Sequence, residues 1–206
     1  MDDALAILRA SLKDLWGDLW TTAVCNMLWL LCMLLVIPGP PATLALFYYG
    51  NRLAHGEVAD VSDFFHAFRR HWGLAWRWGL INLGLVAILW GDYVLTGQLS
   101  QTGLARFVQS FYLALLWAWF LLQLFTLPFL FEQKTNSLRL ALRNGAVMMG
   151  KNFTFTMAFG LVISAALVAG TLLFLISVAA GGAFVAVAGN RAVLNRLEVE
   201  QLAVEN

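Results

Sequence analysis

The sequence predicts an all-α fold, a polytopic transmembrane helical bundle built as a single membrane domain over residues 1–206, and three observations carry that prediction. Apolar runs such as Phe107 to Phe131 are long enough to cross a bilayer, whose ~30 Å hydrocarbon core takes roughly 20 helical residues. Hydrophobic residues make up 61% of the chain and charged residues only 12%, well below the share of about 25% in soluble domains. Pro38-Gly39-Pro40-Pro41 then interrupts the apolar pattern where a helix must stop, because proline lacks an N–H and fixes φ. Runs of this length also exclude a transmembrane β-barrel, whose strands need only ~10 residues.

Taken in order, residues Ala4 to Trp20 predict an amphipathic helix, with Leu5, Leu8, Leu12, Leu15 and Leu19 at three-to-four-residue spacing and Arg9, Lys13 and Asp14 on other faces. Four long spans are expected: Trp20 to Ile37, Leu74 to Leu95, Phe107 to Phe131, and a stretch that starts at Phe153. The last runs uncharged to Asn190, too far for one crossing, so Gly181-Gly182 is the expected break there, as Pro38, Gly39, Pro40 and Pro41 are in the first half. Each break is followed by a shorter return helix, Ala42 to Ala54 and Ala183 to Leu197. Two cytoplasmic amphipathic helices complete the expectation. Ser62 caps one, with Phe64, Phe65, Phe68 and Trp72 on its apolar face beside Arg69 and Arg70; Asn136 caps another carrying Arg139 and Arg143. Basic, aromatic helices of this kind are attracted to an anionic inner leaflet.

Lys and Arg set the orientation. Arg9, Lys13, Arg52, Arg69, Arg70, Arg77, Lys134, Arg139, Arg143, Lys151, Arg191 and Arg196 fall in segments that share one side, whereas Arg106 stands alone between the second and third spans. The positive-inside rule therefore makes that connection external and both termini cytoplasmic. A net charge of +1 with no basic stripe argues against nucleic acid as a partner. The partner the composition demands is the lipid bilayer.

Few residues carry chemistry. Asn26, Asn82 and Gln123 each lie about 12 Å from the cytoplasmic end of a span and form a candidate intramembrane polar layer, with Pro128 freeing the Leu124 carbonyl nearby. Asp92 and Arg106 are a candidate interfacial ion pair at the outer ends of adjoining spans. His55, Asp60, Asp63 and His66 lack metal-ligand spacing, Cys25 and Cys32 sit too far apart on one helix to bridge, and no nucleophile elbow, phosphate loop or dinucleotide fingerprint occurs. No catalytic residue, cofactor or metal is therefore expected. Gly160 and Ser164, Ala165 and Ala169, and Ala166 and Gly170 are small-residue pairs that serve either the fold or a second copy of the chain. The tripeptide Gly-Asn-Arg occurs at Gly50 to Arg52 and again at Gly189 to Arg191, without alignment of the flanking residues.

Asn26-x-Leu28-Trp29, Pro40-Pro41-Ala42-Thr43-Leu44-Ala45, the Gly56-Glu57 turn and Asp63-Phe64-Phe65-x-x-Phe68-Arg69-Arg70 together resemble the YesL-like bacterial integral membrane proteins, most strongly from Asn26 to Leu83. That family is a domain of unknown function whose members often occur beside carbohydrate-uptake or polysaccharide-degradation systems. The resemblance implies a nonenzymatic accessory role at a membrane transport or signalling complex and assigns no ligand residue. The competing expectation is a small-solute transporter or channel with its site between broken helices.

Overall fold

The structure, a computed structural model, describes residues 2–99, 102–172 and 174–205. Nine helices occur among them: α1 (Asp2–Gly17), α2 (Leu19–Leu34), α3 (Gly39–Ala54), α4 (Val61–Arg70), α5 (Trp72–Leu99), α6 (Gly103–Glu132), α7 (Leu138–Lys151), α8 (Phe153–Leu172) and α9 (Phe174–Glu205). Six of them form three antiparallel hairpins, α2/α3, α5/α6 and α8/α9. Thr22 meets Tyr49 at 3.0 Å and the Trp29 indole donates to Thr43 at 3.0 Å, which fixes the first. Trp78 donates to Gln123 and Trp119 to Asn82 in the second. In the third, Phe155 near the start of α8 lies under the Arg196 guanidinium at 4.0 Å, and just before α8 Lys151, the last residue of α7, meets Glu200 at 3.4 Å. The contacts that close each hairpin bring its two free ends together at one end of the bundle, called the foot here.

The first turn follows from its residues. α2 stops at Leu34, Val36 takes a left-handed φ of 65°, and α3 starts at Gly39 with proline in its first turn, where a missing N–H leaves no helical bond unmade. Leu34, Leu35, Val36 and Ile37 at this tip are 64–80% exposed, an apolar cap that suits hydrocarbon and not water. Pro40 then packs on Gly79 of α5, where a Cβ would lie 2.8 Å from the proline ring.

Among the described residues three helical stretches are each long and apolar enough to cross a membrane, Trp72–Leu99, Gly103–Glu132 and Phe153–Gly170, and the four expected are reached only if a bent pair counts as one span. The expected span Trp20 to Ile37 is instead the 16-residue α2, about 24 Å long, and it reaches spanning length only when joined to α1 across a bend of 98°. The other correction concerns Gly181-Gly182, which lie inside the continuous α9; the expected return helix Ala183 to Leu197 is the middle of that helix. Glycine is there for close approach. A Cβ on Gly182 would lie 2.7 Å from the Trp29 ring and 2.9 Å from Asn26 Oδ1.

The amphipathic helices also sit differently from their predicted faces. α1 buries Ala4, Ile7, Ser11 and Leu15, turning Leu5, Leu12 and Trp16 outward with Arg9 and Lys13. Asp14 with Arg191, and Asp3 with Arg196 at 2.6 Å, bind it to α9. α4 is capped by Asp60, two residues before the expected Ser62, and the Asp63 carboxylate accepts from the Asp60 N–H at 2.9 Å. Ser137, one residue after the expected Asn136, caps α7 by accepting from Leu140 N–H.

Because alanine is about 1 kcal/mol better than glycine in a helix interior, a glycine present only to weaken α9 would make Gly182→Ala stabilising. Packing against Trp29 reverses the sign: Gly182→Ala should cost ~1–3 kcal/mol and lower the thermal midpoint in detergent. A raised midpoint would contradict this contact.

Candidate functional site

The foot of the bundle holds a polar junction that joins the returning arm of every hairpin. Asn51 of α3 donates through Nδ2 to Glu132 Oε1 of α6 at 2.6 Å and to Asn190 Oδ1 of α9 at 3.0 Å. Asn190 in turn donates to the Phe47 carbonyl at 3.1 Å and the Ala186 carbonyl at 2.8 Å. His55 Nε2 meets the same Glu132 oxygen at 2.9 Å. Asn190 is 1% exposed and Asn51 8%. Polar groups so placed are expensive unless paired, and here they are paired.

Local sequence explains why three helices can approach this closely. A Cβ on Gly50 would lie 3.0 Å from the backbone of Ala186 and Val187, and one on Gly189 would lie 2.9 Å from the Leu124 carbonyl oxygen. That carbonyl is free because Pro128, four residues on in α6, has no N–H to give it. The two Gly-Asn-Arg tripeptides therefore do the same three jobs. Each glycine admits a neighbouring backbone, each asparagine joins the junction, and each arginine ties down a flanking helix. Arg52 pairs with Asp63 of α4 at 2.5 Å and with Glu57 at 2.9 Å; Arg191 pairs with Asp14 of α1. The repeated tripeptide was the one available sequence signal for this junction, although the flanking residues do not align.

The three expected intramembrane amides divide into two groups. Asn82 accepts from the Trp119 indole at 2.9 Å and donates to the Trp78 carbonyl at 2.9 Å, while Gln123 accepts from the Trp78 indole at 2.8 Å. Trp78 thus bridges Asn82 and Gln123 between α5 and α6. Asn26 bonds elsewhere: its amide donates to Val178 O at 2.7 Å and accepts from Ala183 N–H at 3.0 Å, so it occupies two backbone groups of α9. A side chain inserted into a helical ladder in this way is a recognised cause of local distortion.

Asp92 and Arg106 form no ion pair among the described residues. The hairpin register explains it. Gln109 donates to the Tyr93 carbonyl at 3.1 Å, which sets Arg106 level with position 96, four residues or about 6 Å along the axis from Asp92. The remaining polar candidates are also dispersed: His55 is at the junction, Asp60 and Asp63 serve the α4 start, and His66 is exposed on α4.

An apolar cavity of about 820 Å³ is a groove on the outside of α5, α6 and α7. Its lining includes Leu80, Ile88, Leu115, Trp119 and Met149, and Leu80 and Ile88 are exposed. It presents apolar surface at the depth of the spans.

His71, between α4 and α5, connects the second hairpin's foot. The Asn136 amide donates to its Nδ1 at 3.4 Å, and its ring packs edge-on to Phe131. Burial, then the neighbouring Arg70 and His66, lower its pKa below the ordinary histidine value. A base with a depressed folded pKa lets the unfolded chain bind the proton first, so stability falls as pH drops below about 6.5. Lowering the pH from about 8 to about 5.5 should reduce the thermal midpoint, and His71→Gln should remove part of that loss. Identical pH profiles for the two proteins would contradict the assignment.

Over residues 22–93, about a third of the chain, the sequence is similar to the family described as "Protein of unknown function, DUF624". The matched stretch starts in α2 and ends in α5, and so holds the first Gly-Asn-Arg but not the second. No curated protein and no solved structure matches the chain.

Proposed function

We propose that the protein is a nonenzymatic accessory or scaffold component of the bacterial inner membrane, with both termini cytoplasmic, that associates with a transport or signalling complex, carbohydrate uptake being the first candidate. One observation carries the preference over a transporter: each of the three amides read as an intramembrane layer makes a bond to a neighbouring helix. Asn26 is bonded to α9, Asn82 to Trp119 and Gln123 through its oxygen to Trp78, its Nε2 lying buried without a partner among the described residues, while the groove on α5, α6 and α7 is apolar and faces outward. A solute path needs polar groups facing a hydrated route, and an α9 that continues through Gly181-Gly182 offers no broken helix for a site of that kind. The cytoplasmic placement of the termini is supported by the positive-inside rule and by the foot, where Arg52, Arg191 and Arg196 gather with the free ends of the hairpins.

Affinity capture of the full chain from native membranes in a mild detergent should return the same membrane transport or signalling protein in independent preparations. Failure to recover any reproducible partner, together with solute flux through vesicles containing the purified chain alone, would replace this reading with the transporter.

A further inference from the structure

α4 has two unlike faces. Phe64 and Ala67 are 1% exposed and buried in the bundle. The opposite stripe, Ser62, Phe65, His66, Arg69 and Arg70, is exposed and lines a shallow depression of about 830 Å³. Spacings of three and four residues place these side chains on neighbouring turns, about 5.4 Å apart along the axis.

The positive charge of this stripe is uncompensated. Among the described residues, no hydrogen bond or ion pair is made by the side chains of Ser62, His66, Arg69 or Arg70. The one carboxylate on the same helix, Asp63, is already held by Arg52 at 2.5 Å and by the Asp60 N–H at 2.9 Å. Depth follows from connectivity. α5 is long and apolar enough to span, and it starts at Trp72, two residues after Arg70. The two arginines therefore sit where a span enters the bilayer, at the level of the headgroups. Phe65 and Trp72, 43% and 40% exposed, supply the aromatic surface that an interfacial helix sinks into the acyl boundary.

We propose that this stripe is a binding site for the phosphate-bearing headgroup of an anionic phospholipid. Arg69 and Arg70 provide forked, permanently charged donors, Ser62 and His66 add a hydroxyl and an imidazole, and Phe65 lies against the acyl chains. Free phosphate would meet the same donors. The exposed aromatic residue beside them is what selects an amphiphile over a soluble anion. The site is independent of whether a protein partner exists, and partner capture tests that reading separately.

The test uses the full-length chain in a nonionic detergent, titrated with dioleoyl phosphatidylglycerol or dioleoyl phosphatidylcholine, with bound lipid counted by native mass spectrometry. The anionic lipid should bind preferentially. R69Q/R70Q should weaken that binding by about 30-fold, at roughly a factor of five per arginine, and leave binding of the zwitterionic lipid unchanged. Arg9→Gln with Lys13→Gln, on the exposed face of α1, should leave the site intact. Millimolar inorganic phosphate should not displace the lipid. Equal binding of phosphatidylglycerol by wild type and R69Q/R70Q would overturn the proposal, and full displacement by phosphate would reassign the stripe to a soluble anion. If R69Q/R70Q does not fold, R69K/R70K keeps the charge but loses the forked geometry. Wild-type affinity in that variant would reduce the site to diffuse attraction and likewise overturn it.

Discussion

The bundle depends on one polar junction, at which Asn51, Glu132 and Asn190 bring the returning arms of three hairpins to the same level. Lipid tails are as apolar as leucine, so packing of apolar side chains alone gives little reason for α3, α6 and α9 to choose each other over lipid. A buried amide supplies that reason. Left without its partners inside the packed foot it would be a buried polar group with no hydrogen bond, and a sliding helix would break the Asn51 and Asn190 bonds together. The junction thus resembles the single buried asparagine that sets register in coiled coils: its contribution lies in which arrangement forms as much as in how stable that arrangement is.

Close approach makes the junction possible, and it recurs through the molecule. Gly50 and Gly189 admit backbone at the junction itself, Gly182 admits Trp29, Gly160 faces Leu121 and Trp117, and Gly145 faces Thr126. Each lies at a helix crossing where a methyl group would have to displace a neighbour. Above these contacts the indoles of Trp29, Trp78, Trp117 and Trp119 donate to Thr43, Gln123, Ser164 and Asn82, so each large ring is anchored by a directional bond at its polar edge. Packing and hydrogen bonding serve the same crossings. Function is then left to the outward surfaces: the apolar groove along α5 and α6, and the basic stripe of α4 at the foot.

Much of this architecture could be read in the residues, and what could not has a physical explanation. Proline chemistry placed the α2/α3 turn to within a few residues, and apolar length identified α5, α6 and most of α8. Gly181-Gly182 misled because glycine has two uses in a helix, weakening it and admitting a neighbour, and only the presence of Trp29 and Asn26 decides between them. Residue counts put Asn26, Asn82 and Gln123 at one expected depth, yet depth says nothing of direction around the helix axis; Asn26 bonds to α9, while the other two meet through Trp78. The expected Asp92 to Arg106 pair failed on register, which a hairpin's loop sequence does not specify to within one turn. The junction itself was half legible. Gly-Asn-Arg stands twice in the chain and Pro128 frees the Leu124 carbonyl, but the partner Glu132 and the approach of Gly189 to that carbonyl become visible only when α6 is laid against α3 and α9.

The most direct measurement is a double-mutant cycle on Asn51→Ala and Asn190→Ala, with unfolding followed in lipid-like bicelles. The junction requires the two substitutions to be non-additive, with a coupling energy of about 0.6–1.7 kcal/mol, the range for interhelical polar pairs in membranes. Strictly additive effects would mean that the two asparagines act independently, and that the returning arms are brought together by something other than this junction.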